Sequence, residues 1–364
     1  MRHKTLRIAQ VAPLFESVPP HTYGGTERIV SYLTEELISL GHQVTLFAAG
    51  DSVTKARLVP ISHRSLRRHA ETTDPLIYNT ILIDKVLTQG SQFDLIHFHC
   101  DYFHFPASRY AALPNVTTLH GRLDLPELGV LFEHFDEMPL VSISQSQRRP
   151  LRHANWVGNV YHGLPDQLLK LHEEEGGYLA FLGRICPEKR VDRAIRIALR
   201  AGIPLKIAAK VDKADRGYFE TEIKHLLSQP GIEYVGEITQ KEKEEFLGNA
   251  LAYLFPIDWP EPFGLTMIES MACGTPTVAF RGGAVPEILQ PGVTGYIVNS
   301  EDEAVDAVAL CKMIDRVGCR NMFLKRFTSA RMTEEYLAIY NRLVQNDRPR
   351  RTSAPTEAGL SLVP

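Results

Sequence analysis

The chain has 364 residues, 44% of them hydrophobic and 23% charged, with a net charge of −3. That length exceeds one typical domain and makes two the first expectation, each with enough apolar residues for a core. The charge balance gives no global attraction to nucleic acid, and no apolar run approaches the ~18 residues of a membrane span. The start, Met1-Arg-His-Lys-Thr5, leads straight into a short strand, so no signal peptide is read. Cys100, Cys186, Cys273, Cys311 and Cys319 form no C-x-x-C pair, which reads as reduced thiols in a cytoplasm.

In chain order, residues 6–11 read as an apolar strand, followed by a proline-rich loop and Gly24-Gly25-Thr26-Glu27. Ile29, Leu33, Leu37 and Leu40 share one face of a helix that Gly41 stops, and residues 44–48 form the next strand. This is a Rossmann-like unit, although neither G-x-G-x-x-G nor G-x-x-x-x-G-K-[ST] is present. Residues 61–71 hold Arg64, Arg67, Arg68 and His69. They read as a solvated basic loop, with contact to an anionic acceptor or a membrane surface as the alternative. Strands at 95–98, 116–119 and 140–143 end in His97-Phe98-His99-Cys100-Asp101, in His120-Gly121 and in Ser142-Ile143-Ser144-Gln145-Ser146. Polar residues thus gather where the strands stop, which is where parallel α/β sheets hold ligands. Alternation sends His97 and His99 to one face with no third metal ligand specified, so buried, hydrogen-bonded histidines are expected.

The expected division is a first domain at 1–163, a hinge at 164–177, a second domain at 178–328, a helix at 329–346 and a flexible tail at 347–364. A strand at 178–182 leads into Gly183-Arg184 and Lys189, then a helix at 191–201 and a strand at 205–209 followed by Lys210. Residues 232–235, 240–250 and 252–255 continue as strand, helix and strand. The stretch that follows is the most informative. Pro262 suits a loop or first turn, Gly274 and Pro276 stop a helix, and Leu265, Ile268 and Ala272 place one helix face in the core. Glu269 borders that face. Eight helical residues would separate it from Glu261 by about 12 Å. With Glu261 in the preceding loop, the two carboxylates can reach two ends of one elongated ligand. Between them, the amides of Phe263, Gly264 and Leu265 form an anion site that Gly264 leaves open to close approach.

Glu261, Pro262, Phe263, Gly264 and Glu269 resemble the E-P-F-G-(x)4-E signature of glycosyltransferase family 4. These are retaining sugar-nucleotide transferases of the GT-B fold, α/β proteins with two Rossmann-like domains facing across a cleft. Further motifs match in order along nearly the whole chain. Gly24-Gly25 matches the family's glycine pair near the donor phosphates, and His120-Gly121 is similar to the histidine-glycine that borders the reacting sugar. Gly183-Arg184 with Glu188-Lys189 looks like G-R-(x)3-E-K-G, which implies that Arg184 and Lys189 hold the donor diphosphate. Such cations offset the charge that a leaving nucleoside diphosphate gains. Two departures stand out: Arg190 replaces a family glycine, and Tyr161-His162-Gly163 lacks the polar residues of the family's Asn-Gly-Ile-Asp, so no ligand role is carried to it. Gly282-Gly283 is expected to let the chain pass near the donor, with Glu287 orienting that loop. The last helix is expected to cross back onto the first domain.

The resemblance implies transfer of a hexose from a UDP- or GDP-linked sugar to a hydroxyl of a glycan, lipid or small molecule. Glu269 would accept hydrogen bonds from the ribose, and Arg184, Lys189 and the amides after Phe263 would hold the diphosphate. Glu261 and the backbone of Phe263, Gly264 and Leu265 would orient the sugar, and His120 would line its reacting face. No D-x-D motif occurs, so no metal is expected, and the donor is a co-substrate, not a cofactor. No nucleic-acid partner is expected. The protein is read as cytoplasmic, with peripheral contact at the inner membrane face as a second reading. The competing readings are a nucleotide-sugar epimerase, a phosphorylase needing a pyridoxal-phosphate lysine, and a catalytically silent sugar-nucleotide-binding protein.

Overall fold

The computed structural model describes residues 5–68, 74–111 and 113–347. His69 of the basic loop lies outside the described residues, as does the expected tail beyond Asp347. The first sheet has seven strands: β1 (Arg7–Val11), β2 (Gln43–Ala48), β3 (Arg57–Pro60), β4 (Leu95–Phe98), β5 (Asn115–Thr118), β6 (Leu140–Ser142) and β7 (Trp156–Asn159). All pair in parallel, in the order β3-β2-β1-β4-β5-β6-β7. The second sheet has six: β8 (Tyr178–Arg184), β9 (Leu205–Lys210), β10 (Ile232–Gly236), β11 (Ala250–Phe255), β12 (Thr277–Phe280) and β13 (Gly295–Val298). They are also parallel, in the order β10-β9-β8-β11-β12-β13. In each sheet the strand order reverses beside its first strand, and the crevice beyond the strand ends at such a point is where ligands bind.

The central strands are apolar runs because helices cover both faces. β11 is buried at all six positions and packs into both clusters of the second domain's core. The unexpected elements include the short edge strands β3, β7 and β13 and the helices Pro75–Thr88, Pro126–His134 and Arg316–Arg326. Strand β3 therefore separates β2 from the basic stretch, within which Leu66–Arg68 forms a 3-10 turn.

The helix Ser329–Asp347 leaves the second domain and inserts Met332, Tyr336, Ile339 and Tyr340 among Leu6, Ile8, Ile29 and Leu33. Glu287 ties the domains together by accepting from the backbone N–H groups of Gln145 and Ser146, at 2.8 and 2.6 Å, and from the Tyr161 hydroxyl at 2.9 Å. Among the described residues, no helix is long and apolar enough to cross a membrane.

Candidate functional site

The helix Leu265–Ala272 begins at Gly264, whose φ of 87° is left-handed. That backbone favours glycine, and a Cβ there would also push the Met267 methyl, 2.5 Å away, to shift. No side chain caps the helix. Its buried surface is wider than one face, because Met267 through Ala272 are all buried. Leu265 is half-exposed instead, since it lines the cleft; a Cβ on Gly25 of the first domain would lie 3.3 Å from its Cδ1. Glu269 is 1% exposed, well inside the border position expected of it. A carboxylate so buried needs a partner, and Lys243 Nζ donates to its Oε1 at 2.6 Å. Its Oε2 is buried with no hydrogen-bond partner.

Glu261, 7% exposed, pairs with Lys189 Nζ and accepts from Trp259 Nε1 at 3.0 Å. Lys189 also lies 5.1 Å over the Trp259 ring. The loop beneath is set by the glycine pair. A Cβ on Gly283 would fall 2.1 Å from Glu261 O, and one on Gly282 would fall 2.8 Å from Trp259 O. These glycines make room for the loop that carries Glu261.

On the other side of the cleft, Arg184 meets Asp215 at 3.3 Å and Lys210 meets Asp212 at 2.9 Å. Asp212 also reaches Arg184 at 3.8 Å and, across the domain boundary, Arg67 at 3.3 Å. Partial burial would raise the Asp212 carboxyl, but Lys210, Arg67 and Arg184 hold it below its usual range. Arg67 also pairs with Glu16 of its own domain. Among the described residues of the basic loop, Arg67 alone lines the cleft; Arg68 leans to Asp51.

His120 faces this cleft from the end of β5. Its Nε2 lies 2.9 Å from His99 Nδ1, and its ring stacks on His162 at 5.2 Å and 16°. Burial pulls the His120 imidazole down to about 3 and also lowers His99 and His162, so all three are neutral at pH 7. His97 and His99 are buried and hydrogen-bonded. Among the described residues, no group of three His, Cys, Asp or Glu side chains could hold a metal ion.

The structure gathers Gly24, Gly25, His120, Arg184, Lys189, Glu261, Phe263, Gly264, Leu265 and Glu269 around one cleft of about 400 Å³. Phe263 offers it only backbone, because its ring is 2% exposed and packs on His162 and Phe327. Sequence reasoning missed Lys243, which sits in a Lys-Glu run that reads as solvated surface, and His162, which lies in the segment denied a role. It also missed Glu27, 6% exposed, whose carboxyl burial holds above the usual range. For His162 and Glu27 a signal existed: each is a polar residue just beyond a strand end or glycine turn.

The model of a family described as Glycosyltransferase Family 4 matches residues 23–164, and that of Glycosyl transferases group 1 matches residues 169–314. The alpha-maltose-1-phosphate synthase of Mycolicibacterium smegmatis is 28% identical over 185 residues, 45% of this chain. The match spans about half the length of that relative, 48%. The phosphatidyl-myo-inositol mannosyltransferase of Mycobacterium leprae is 24% identical over 339 residues, covering 85% of this chain and 87% of that enzyme. Anabaena HepE, crystallised with UDP and glucose, superposes with a TM-score of 0.73 at 15% identity over 93% of this chain and all of its own, a likeness of fold. With two parallel-sheet domains and a cleft built from its motifs, the chain belongs to glycosyltransferase family 4 and has the GT-B fold.

Proposed function

We propose that this transferase moves a hexose, with retention of configuration, from a UDP- or GDP-linked donor to a hydroxyl of a glycan, lipid or small molecule. The observation that carries this reading is one arrangement. An uncapped helix start at Leu265 is flanked by Glu261–Lys189 and Glu269–Lys243, with Arg184 and Lys210 facing it. Free Oε2 of Glu269 accepts from the ribose hydroxyls. Arg184, Lys189, Lys210 and the first-turn amides take the diphosphate, and Gly24 and Gly25 leave room for it. Glu261 and the backbone of Phe263, Gly264 and Leu265 orient the sugar hydroxyls beside His120. HepE binds UDP and glucose on the same fold, which supports a nucleotide-sugar donor.

In the reaction the bond from C1 to the phosphate oxygen breaks and the acceptor hydroxyl oxygen bonds C1 on the same face. Its proton passes to the departing phosphate, so no protein nucleophile is required. Fixed cations stabilise the charge that develops on the leaving group, the role a divalent ion plays elsewhere. The reading keeps the protein metal-independent and acting where nucleotide sugars are made. The test is a melting-temperature screen against nucleoside diphosphates, followed by assay of nucleotide release from UDP- and GDP-hexoses with and without hydroxyl acceptors. Stabilisation by one nucleotide series and acceptor-dependent release are expected. No stabilisation by any of them at millimolar ligand overturns the donor assignment.

A further inference from the structure

A buried hydrogen-bonded chain runs from the cleft through the first domain to the last helix. His120 Nε2 lies 2.9 Å from His99 Nδ1, and His99 Nε2 lies 2.8 Å from Gln10 Oε1. Gln10 Nε2 reaches Tyr340 OH at 3.2 Å, and that hydroxyl lies 2.6 Å from His97 Nδ1. Gln10, His97, His99 and Tyr340 are all 2% exposed or less, so water does not rearrange these protons.

The Gln10 amide gives the chain its direction. Its Nε2 donates to the Tyr340 hydroxyl, which turns its own proton to His97 Nδ1, and its carbonyl oxygen faces His99 Nε2. That oxygen takes the His99 Nε2 proton. A neutral His99 is left with a lone pair at Nδ1, which in turn requires a proton on His120 Nε2. His120 Nδ1, unprotonated, has no partner in the protein.

We infer that Tyr340, through Gln10 and His99, fixes His120 as the tautomer with Nδ1 free, so that it offers the donor sugar a hydrogen-bond acceptor and never a donor. Tyr340, Gln10 and His99 are positioning residues, and the helix that crosses between the domains sets the chemistry of a side chain in the cleft. This deepens the proposed function and rests on it for the identity of the ligand. The sugar edge that meets His120 must carry a hydroxyl with a proton to give. A carboxylate or keto group there would place lone pair against lone pair.

Long-range ¹⁵N NMR of the histidine-labelled, ligand-free full chain reads the tautomer directly. A protonated Nε2 and bare Nδ1 on His120 are expected, and a proton on Nδ1 overturns the inference. In Tyr340→Phe the Gln10 amide is released and His120 should populate the other tautomer. Turnover should fall about tenfold, the scale of one misdirected hydrogen bond, with nucleotide affinity unchanged by calorimetry. Gln10→Leu breaks the chain at another link, with the helix sequence unchanged, and should act alike. An unaltered His120 tautomer in both variants overturns the relay, because a packing role alone would lower stability and leave the NMR signature in place. Absence of transfer by the wild type counts against the functional reading alone, since the tautomer is read without ligand.

Discussion

Replacing Glu269 asks whether its one free oxygen meets the ribose. Oε1 is committed to Lys243 at 2.6 Å, while Oε2 is buried without a partner. If that oxygen takes a ribose hydroxyl, Glu269→Ala removes a charged hydrogen bond worth about 1.5–3 kcal/mol, and donor affinity falls roughly 10- to 150-fold. Glu269→Gln keeps the volume and a neutral acceptor, so it should lose about half of that energy. Both variants leave the Lys243 ammonium, its side chain 13% exposed, without its carboxylate. The ligand-free melting temperature should therefore drop in both, and that drop is measured separately from affinity. Titration calorimetry with UDP and GDP at fixed pH and salt reads the binding. An alanine variant that binds the wild type's nucleotide within about twofold refutes the ribose assignment, because no other group on Glu269 is free to compensate.

Arg184→Ala with Lys189→Ala should lower turnover by more than about a hundredfold, as expected when charge stabilisation of a leaving group is removed, and retained activity sinks the diphosphate role. Asp212→Asn frees Lys210 and leaves Arg67 and Arg184 with one carboxylate each, Glu16 and Asp215. It should tighten nucleoside diphosphate binding about three- to tenfold, whereas weaker binding would mean that Asp212 itself holds the ligand. Gly283→Ala, at φ 50° with its Cβ on the Glu261 backbone, should cut turnover while donor phosphate contacts stay intact; unchanged kinetics would show that Glu261 tolerates displacement. Burial pulls His104 down to about 3 from the ordinary 6.5, so between those values the unfolded chain binds a proton that the native chain does not. Stability from this source is therefore lost as pH is lowered through that window, by about 1.4 kcal/mol per unit. His104→Gln should flatten the dependence of denaturation free energy on pH by that amount between about pH 6 and 4.5, and parallel slopes would contradict it.

What the sequence revealed of the fold follows how each element is buried. Strand β4 at Leu95–Phe98, strand β12 at Thr277–Phe280 and the helix Val191–Ala201 were legible to the residue, because a fully buried strand is a continuous apolar run and an amphipathic helix keeps its period. The strands that escaped, β3, β7 and β13, are sheet edges of only four residues each, and every position of β3 and β7 is partly or fully exposed. The helix Pro75–Thr88 did carry a signal: Asp74 accepts from Leu76 N at 2.9 Å and Pro75 follows it, an N-cap and first-turn pair that could have been read. At the site, glycines and the loop carboxylate were visible because they sit in one short stretch. Lys243 was not, since its meaning comes from Glu269, 26 positions away in sequence. Tyr340 was equally silent, because a buried aromatic on a helix stripe looks the same whether its hydroxyl directs a proton or merely finds a partner.

The charges of the cleft divide its acidic residues into two kinds. Arg67 holds Glu16, Arg184 holds Asp215, Lys189 holds Glu261, Lys210 holds Asp212 and Lys243 holds Glu269. A wall paired in this way has little net field to offer, so an arriving diphosphate must displace carboxylates to reach the cations. Glu261 and Glu269 are 7% and 1% exposed and are fixed by Trp259 and Lys243, so they are poor candidates to leave. Asp212 has a side chain 21% exposed and stands on the loop after β9, where it can swing to water once its three cations turn to phosphate. On the proposed reading, Asp212 and Asp215 hold Arg184 and Lys210 until donor arrives, while the two glutamates stay to receive hydroxyls. Because Asp212 bridges to Arg67 of the first domain, its departure also releases a tie between the domains, linking donor binding to the width of the cleft in which the sugar is transferred.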